Sequence, residues 1–562
     1  MSQRSKTDLY EPSYSYIRCG KEADTVIGGS WVSVFDEDYF PAGSLTQKIL
    51  TSDVTFTDAT GAFKFNKSGA YHIMANLYVT AVSDATFSFK VTVNGVEEYF
   101  SQGRVDSSFD PANHTFQSIL ELQRGDRVVV WLTCAGANIT VKTGTSAVIT
   151  KISSDVYGKI VCTTPASVFS RTAEYVPFNK GGTYSTSAAF NTRSKGMTVS
   201  DSAGSGEGIL VIKEDGSYVV SSCNVITGKA NVTDDCLVKV KRNGVLLGSK
   251  IINIDMSGGS SVGPKGVTTF MIKELKKGDK ITLTWDWSGT TGGNTGLKIQ
   301  KGSVLLAYKL LTDGPSRSLV RQDNYINVFT GASSSANDGG VAPFSFNPFD
   351  ADHYTDAGTS VHTSSASKGF DFIQSNGTFK LTAGVTTDYS DIIKGIYFAI
   401  FTGPVINTVD SADNESGGWE IKVNGAGVRL PDEATAAPIS SSAWVDYDGS
   451  AWDRTALGLI YLSGSDEVSC WMTQHTQDLK TMAGCEFGLY RIAALDINDA
   501  AKSHDVSHDG TIRTFSPEVM SAQYTSTIAD QAPFSLGTPG PLSLRGKAAD
   551  GTVVIKLGDK KN

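Results

Sequence analysis

The sequence feature that most constrains the fold is an internal repeat of strand-like segments. Three times along the chain, a polar turn is followed by a glycine, one further residue and an aromatic, and the three glycines are Gly69, Gly216 and Gly377. The intervals between them are as long as whole domains, whereas solenoid repeats are about 20–50 residues long. The repeat therefore predicts three tandem domains of similar fold.

Each repeat also contains turn signals at fixed places. A strand that ends in Asn-Gly occurs in every repeat, and a Gly-Asp turn between two apolar strands follows in the first two. Asn-Gly tolerates the positive φ angles of a type I′ hairpin turn, and Gly-Asp is similarly favoured in tight turns. The residues predicted to have this structural role are Gly95, Gly125, Asp126, Gly244, Gly278, Asp279 and Gly425.

Between the turns, apolar and polar residues alternate with a period of two. Thr86–Val93 (TFSFKVTV) and Trp419–Val423 (WEIKV) are examples. This period is typical of half-buried strands, and short strands separated by turn residues indicate sandwiches or barrels. The alternation is missing from residues 1–25 and 497–562. The fold class is therefore predicted as all-β, with extended terminal arms that become ordered by docking on another protein.

Composition excludes several classes of protein. The formal net charge is −9 and the pI is about 5.4, so neither nucleic acid nor an anionic membrane would attract this surface. Apolar stretches such as Arg127–Cys134 are far shorter than the ~18 residues that span a membrane. The 7 cysteines form no C-x-x-C pair, which argues against a disulfide scaffold or zinc site, and no cofactor is predicted.

The order of the segments resembles a known family. TGAFKFNKSGAYHIMANLYV (60–79) and LELQRGDRVVVWL (120–132) are similar to strands of the jelly-roll head of the first complement component and of the related tumour-necrosis-factor family. The second repeat is similar in the same order, and the third more loosely. The resemblance implies a ten-stranded jelly roll that packs as a trimer about a threefold axis and acts by binding, without catalysis.

The resemblance leads to a predicted domain organisation. It consists of an N-terminal arm (1–25), three tandem jelly-roll β-sandwich domains (26–153, 154–312 and 313–496) and a C-terminal arm (497–562). The third jelly roll is predicted to carry an insertion, because Gly377 and Gly425 are further apart than the corresponding glycines of the first two repeats. The tryptophan near the end of each repeat is predicted to lie in the core. These tryptophans are Trp131, Trp285 and Trp471.

The context of the repeats favours a virion protein. No apolar signal segment and no collagen-like stalk accompany them, although animal members of the family are secreted. Tandem jelly rolls with docking arms look like a structural protein of a tailed bacteriophage virion, made in the host cytoplasm. It would act by adhesion and assembly, as a tail fibre or receptor-binding protein, or as a capsid fibre or decoration. A polysaccharide-degrading tailspike and a cytokine-like trimeric ligand are the alternatives.

The expected partners follow from this interpretation. They are further copies of the chain in a homotrimer, other virion proteins bound through the terminal arms, and a host surface glycan or receptor. Neither nucleic acid binding nor membrane insertion is expected. The candidate glycan-binding patch combines aromatic rings with carboxylates, although most tryptophans belong to cores. It consists of Trp444, Asp446, Tyr447, Asp448 and Trp452.

Other motifs are interpreted as loops and turns. His504 and His508, with Asp509, are candidate metal ligands only if they lie on a helix, which the neighbouring Ser, Val and Gly do not favour. Arg124-Gly125-Asp126 has the form of an integrin-binding tripeptide, but the second repeat has Lys277-Gly278-Asp279 at the same place, which indicates a turn. Gly259–Gly263 matches G-x-S-x-G without the helix that a nucleophile elbow needs, so no catalytic residue is predicted.

Overall fold

The computed structural model describes much of residues 16–494 and two short C-terminal segments. The described ranges are 16–21, 24–35, 46–50, 53–105, 112–142, 145–167, 176, 178, 190–200, 208–227, 233–255, 265–287, 298–311, 324–330, 344–346, 362–373, 375–381, 395–407, 415–427, 439–445, 452–462, 466–474, 479–494, 542–547 and 553–557. Apart from one 3₁₀ turn at Asp58–Thr60, the regular structure in these ranges is β-strand, and no helix there could cross a membrane. The all-β prediction is confirmed.

Two antiparallel sheets form the first sandwich. Its strands are β1 (Tyr16–Lys21), β2 (Thr25–Ile27), β3 (Val32–Ser33), β4 (Thr46–Leu50), β5 (Val54–Thr57), β6 (Ala62–Phe65), β7 (Gly69–Ala81), β8 (Ala85–Val93), β9 (Val96–Val105), β10 (Ala112–Leu122), β11 (Arg127–Cys134), β12 (Ile139–Val141) and β13 (Ser146–Lys151). The sheet that faces the other sandwiches, called the inner sheet, has the order β4-β1-β13-β7-β10. The outer sheet has the order β5-β6-β11-β8-β9.

The second sandwich repeats this order. Its strands are β14 (Tyr157–Cys162), β15 (Ala166–Ser167), β16 (Phe190–Lys195), β17 (Met197–Ser200), β18 (Ile209–Ile212), β19 (Gly216–Thr227), β20 (Thr233–Arg242), β21 (Val245–Asp255), β22 (Lys265–Leu275), β23 (Lys280–Trp287), β24 (Lys298–Ile299) and β25 (Val304–Lys309). The inner sheet is β16-β14-β25-β19-β22 and the outer sheet is β17-β18-β23-β20-β21.

The third sandwich has the same arrangement. Its strands are β26 (Tyr325–Thr330), β27 (Phe344–Phe346), β28 (His362–Lys368), β29 (Phe370–Ile373), β30 (Thr378–Leu381), β31 (Gly395–Asn407), β32 (Glu415–Val423), β33 (Ala426–Gly427), β34 (Ile439–Val445), β35 (Trp452–Leu462), β36 (Glu467–Gln474), β37 (Leu479–Thr481) and β38 (Glu486–Ala494). The inner sheet is β28-β26-β38-β31-β35, and the outer sheet is β29-β30-β36-β32, with β33 and β34 both on β32. The same two-sheet order in all three sandwiches is that of a jelly roll, as predicted.

The aromatic of each repeat points into a core. Tyr71 and Tyr218 are fully buried, and their hydroxyls donate to the main-chain oxygens of Lys67 and Glu214, each at 2.8 Å, in the turn before the strand. Burial of the ring and the satisfied hydroxyl explain why a tyrosine is suitable at this position. In the third sandwich, Tyr397 of β31 is buried in the same way.

The third repeat begins at Gly395, and the prediction of Gly377 is wrong. β31 pairs with both β35 and β38, as β7 pairs with β10 and β13. Gly377 instead precedes β30, an outer-sheet strand that corresponds to β6. At both places a glycine is followed two residues later by an aromatic, so the pattern alone does not distinguish them. The additional residues of the third sandwich are 382–394, between β30 and β31.

The predicted boundary of the N-terminal arm at residue 25 is wrong, because β1 lies before it. β1 is an interior strand of the inner sheet, paired with β13 on one side and β4 on the other, and β2 pairs with β12. Ile17 is fully buried. Neighbouring strands β7 and β13 are buried almost continuously, so both faces of the inner sheet are covered and its strands need no polar face, which is why the missing alternation was misleading. Residues 1–15 lie outside the described residues.

Of the three repeat tryptophans, only Trp285 lies in the core. Trp131 and Trp471 are half-buried on the outer face of their sheets, and their indole N–H groups donate to Thr92 Oγ1 at 2.9 Å and Ser469 Oγ at 2.8 Å. Trp131 follows the turn residue Asp126 by five positions and Trp471 follows Asp466 by five, whereas Trp285 follows Asp279 by six. A one-residue shift places a strand side chain on the opposite face, so the core prediction is wrong for these two.

The C-terminal segment contains one pair of strands. β39 (Leu542–Lys547) pairs antiparallel with β40 (Val553–Leu557) within a separate compact unit, Asp505–Asn562. The rest of the predicted C-terminal arm lies outside the described residues.

Candidate functional site

The inner sheets of the three sandwiches pack against one another around a common axis. Thr150, Tyr308 and Tyr490 occupy the same register position in the three sheets. The hydroxyl oxygens of Tyr308 and Tyr490 are 2.8 Å apart, and the Tyr490 hydroxyl also hydrogen-bonds the Thr150 side chain. Equivalent residues of three domains therefore meet at one point, which defines a pseudo-threefold axis within a single chain.

A buried histidine lies beside this axis. His72 Nδ1 is 3.3 Å from the Tyr308 hydroxyl, and the Gln117 amide connects His72 Nε2 (3.2 Å) with Ser221 Oγ (2.8 Å). The Phe398 ring of the third sandwich packs against the imidazole, with centroids 6.1 Å apart. Burial lowers the pKa of His72 to about 4, so the ring is neutral near pH 7.

Polar contacts join the first and second sandwiches. Lys159 Nζ donates to Ser118 Oγ at 3.1 Å and to the main-chain oxygen of Ile119. Tyr157 donates to the Glu121 carboxylate. Lys159 is almost fully buried, and this burial lowers the pKa of its ammonium to about 8. Strand β10 of the first sandwich thus supplies the acceptors for strand β14 of the second.

The second and third sandwiches repeat these contacts with other side chains. Tyr325, the counterpart of Tyr157, donates to Glu274 at 3.4 Å. Asn327, the counterpart of Lys159, donates to the main-chain oxygen of Phe270 at 3.4 Å. Strand β22 therefore has the same role toward β26 that β10 has toward β14.

The third sandwich contacts the first and closes the arrangement. Asn76 Nδ2 and Asn113 Nδ2 donate to the main-chain oxygen of Thr455 at 2.9 and 3.4 Å, and Ser146 Oγ donates to that of Leu457 at 3.3 Å. Strand β35, which corresponds to β10 and β22, provides these oxygens. Each sandwich therefore contacts both of the others.

A cluster of ionised groups lies between the second and third sandwiches. Lys250 Nζ is 3.1 Å from Asp453 Oδ1 and 3.7 Å from Glu486 Oε2, and the three side chains are 0%, 3% and 3% exposed. Asp453 also accepts the Thr268 N–H at 2.7 Å, and Glu486 accepts the Phe270 N–H at 2.8 Å. Burial raises the pKa of both carboxyls, that of Glu486 to about 7.

The predicted glycan patch lies only partly within the described residues. Asp446, Tyr447 and Asp448 lie outside the described residues. The backbone places Trp444 in β34 of the outer sheet and Trp452 at the start of β35 of the inner sheet. The predicted metal ligands His504, His508 and Asp509, and the segment Gly259–Gly263, also lie outside the described residues. Within the described ranges, no group of three or more His, Cys, Asp or Glu could hold a metal ion.

The predicted turn residues lie in tight turns. Gly95, Gly244 and Gly425 have φ of 82°, 82° and 75°, and the preceding asparagines each have φ of 52°. Positive φ at both positions is the type I′ geometry that favours Asn-Gly. Gly125 and Gly278 also have positive φ, 95° and 93°.

Sequence reasoning missed the interfaces between the sandwiches. Their residues are buried polar groups on the inner sheets, which single-sequence periodicity does not separate from surface residues. One signal was available: the first inner strand of each sandwich begins with a tyrosine, namely Tyr16, Tyr157 and Tyr325.

Comparisons with known proteins found structural neighbours of low similarity. No family model and no curated protein matches the chain. A structure of Eiger, a tumour-necrosis-factor protein from S. frugiperda, matches 23% of this chain and 91% of its own, with 14% identity and a TM-score of 0.16. A crystal structure of murine APRIL matches 28% of this chain and 98% of its own, with 16% identity and a TM-score of 0.18. Both are tumour-necrosis-factor-family jelly-roll proteins.

Proposed function

We propose that this protein is a non-enzymatic virion structural protein of a tailed bacteriophage, displayed as a tail fibre or receptor-binding protein, or as a capsid fibre or decoration. The observation that carries the proposal is the closed arrangement of three jelly rolls in one chain, in which each sandwich hydrogen-bonds to both others. A rigid scaffold that covers its inner sheets leaves outer sheets and loops for recognition.

The burial of the titratable groups supports binding over catalysis. His72 is held between Gln117 and Tyr308, and Asp453 and Glu486 are occupied by Lys250 and by backbone N–H groups. A catalytic acid or base must reach its substrate. These groups instead lie inside the contacts between domains.

The outer sheet of the first sandwich provides aromatic surface for adhesion. Trp31, Phe100 and Trp131 are half-buried on this face. Lys90 Nζ lies 4.2 Å from the Trp31 ring centre, and Lys301 Nζ lies 4.2 Å from that of Phe100. Rings that are only partly covered offer apolar area for a host glycan or receptor. The segment from Trp444 to Trp452 is proposed as a second such surface.

Attachment to the particle is proposed through the chain termini, residues 1–15 and 497–562. Residues 1–15 precede β1, and the C-terminal segment follows the last strand of the third sandwich. The proposed location is the virion, after synthesis in the host cytoplasm.

Two deletions test the proposal. Variants lacking residues 1–15 or 497–562 are both expected to form the three-sandwich head. At least one of them is expected not to enter particles, as measured by immunoblot of purified virions. The control is Asp84→Asn, which removes an exposed ion pair with Arg104 and should enter particles normally. Absence of the full-length protein from purified virions would overturn the virion role, and normal incorporation of both deletions would show that attachment does not use the termini. Shortening of host polysaccharide by the purified protein would favour the tailspike instead.

A further inference from the structure

The ion cluster around Lys250 distinguishes one interface between sandwiches from its counterpart. Register alignment places Ser101 of β9 where Lys250 lies in β21. At the interface between the first and second sandwiches, the counterparts of Lys250, Asp453 and Glu486 are Ser101, Gly266 and Val304. The jelly-roll packing therefore does not require charges here, and their presence between the second and third sandwiches needs another explanation.

The charges within the cluster do not balance. One ammonium lies between two carboxylates, and all three groups are almost completely removed from water. Two buried carboxylates facing one cation leave an excess negative charge, which is costly in a low-dielectric interior. One proton held by the carboxylate pair removes that excess, because Lys250 then faces a single negative charge.

The surrounding titratable groups offset this excess only beside Asp453, whose carboxylate attracts the buried Arg454 guanidinium, so Glu486, 3.7 Å from Lys250 Nζ, is the carboxyl that carries it. From β22, Lys273 holds its ammonium 5.4 Å from the Phe329 ring centre, and it acts on Glu486 only as a distant positive charge. From β35, Arg454 Nη1 donates to the main-chain oxygen of Asp453 at 3.1 Å. The thiols of Cys223 and Cys485 also lie near the cluster, and burial raises the pKa of both to about 12, so they are uncharged.

We propose that the interface between the second and third sandwiches is a proton-dependent joint. With a proton on Glu486, the excess charge is removed and β22 is held firmly against β38 through the Phe270 N–H, which Glu486 still accepts. When the proton leaves as the pH rises through neutrality, the excess negative charge is relieved by separation of the strands and entry of water. The interface between the third and first sandwiches, where Asn76 and Ser146 donate to main-chain oxygens of β35, does not respond.

Hydrogen exchange of the full-length protein tests the joint. After correction for intrinsic exchange rates, protection of Lys265–Leu275 and Glu486–Ala494 is expected to be about tenfold lower at about pH 8 than at about pH 6. Protection of β7, which contacts β35 through the Asn76 amide, should be the same at both. In Glu486→Gln, whose side-chain oxygen can still accept the Phe270 N–H, the difference between the two pH values should disappear. The matched control is Glu121→Gln at the first interface, which should retain the wild-type response.

Two results would overturn the proposal. One is equal protection of wild-type β22 and β38 at both pH values, and the other is an unchanged pH response in Glu486→Gln. If that variant does not fold, infrared spectroscopy of the wild-type protein decides. A protonated carboxyl band at about pH 6 that is lost at about pH 8 supports the joint, and its absence at both rejects it.

Discussion

Asn94 Nδ2 donates a 2.7 Å hydrogen bond to Asp126 Oδ1 and thereby joins the Asn-Gly turn to the Gly-Asp turn of the same outer sheet. The second and third sandwiches contain the equivalent bonds, from Asn243 to Asp279 at 2.7 Å and from Asn424 to Asp466 at 2.9 Å. Asp126 Oδ2 also accepts the Gln123 N–H at 2.7 Å. Both carboxylate oxygens are therefore used inside the fold, which supports the turn interpretation of Arg124-Gly125-Asp126.

Substitution of Asp126 tests that interpretation. Asp126→Asn is expected to lower the free energy of unfolding by about 1 kcal/mol, because the amide has one acceptor oxygen where the carboxylate has two. Urea denaturation measures the change, and Asp84→Asn, which loses only a surface ion pair, should cost less. Host-cell adhesion should be unaffected. Loss of adhesion by a variant of unchanged stability would instead identify a ligand tripeptide.

The mass of the protein in solution is a second prediction. The homotrimer expected from the family resemblance would bury one inner sheet from each of three chains. In this chain the inner sheets of three consecutive sandwiches already cover one another. We therefore expect light scattering at micromolar concentration to give 59.7 kDa. A mass three times larger would mean that a second surface, outside these interfaces, assembles the chain.

Glycines at close approaches provide a third prediction. A Cβ on Gly488 would lie 2.4 Å from the Phe270 ring across the interface between the second and third sandwiches. A Cβ on Gly248 would meet the flexible end of Met271 at 2.9 Å and Glu486 Oε1 at an ordinary contact distance of 3.6 Å. Gly488→Ala should lower the free energy of unfolding by about 2 kcal/mol, since overpacking cannot relax against a fixed ring. Gly248→Ala is the matched control and should cost clearly less. Equal costs in denaturant titrations would show that the interface is loosely packed.

Much of each sandwich could be predicted from local chemistry. Asn94-Gly95 and its counterparts determine hairpin turns through backbone sterics alone, so the strands around them were placed correctly. The errors occurred where one local pattern fits two positions. Gly377 and Gly395 are each followed two residues later by an aromatic, and Trp131 differs from Trp285 by a single step of register. A shift of one residue changes which face of the strand is buried, and composition does not reveal it.

The contacts between sandwiches could not be predicted from the sequence. Gln117 and Ser221 are ordinary polar residues in their own strands and become partners only when two domains meet. Lys250 similarly occupies a strand position at which the first sandwich has a serine. Because a buried polar residue is recognised by its partner, and the partners lie in other domains, the periodicity of one strand contains no sign of them.

A buried histidine makes the stability of the protein dependent on pH. His114 lies against the Phe87 and Phe89 rings, with centroids 5.8 and 5.2 Å away, and burial lowers its pKa to about 4. An unfolded histidine titrates near 6.5. As the pH falls through this interval the unfolded chain binds a proton that the folded chain does not, so stability is lost toward acid. Glu486, whose pKa is raised, has the opposite sign between about 4.5 and 7.

The fourth prediction compares the wild type with a variant that lacks His114. His114→Leu should be tolerated, because the equivalent position in the second sandwich is the buried Val267. Between about pH 7 and pH 5, the free energy of unfolding of the wild type should fall by about 2 kcal/mol relative to that of the variant. Only the wild type has a side chain at position 114 that binds a proton in the unfolded chain and not in the folded chain. Denaturant titrations at both pH values measure this difference, and the Glu486 effect cancels because both proteins contain it. Phe116→Leu in the same strand is the control and should cost the same at both pH values. A pH-independent difference between wild type and His114→Leu would show that the folded state accommodates the charged imidazole.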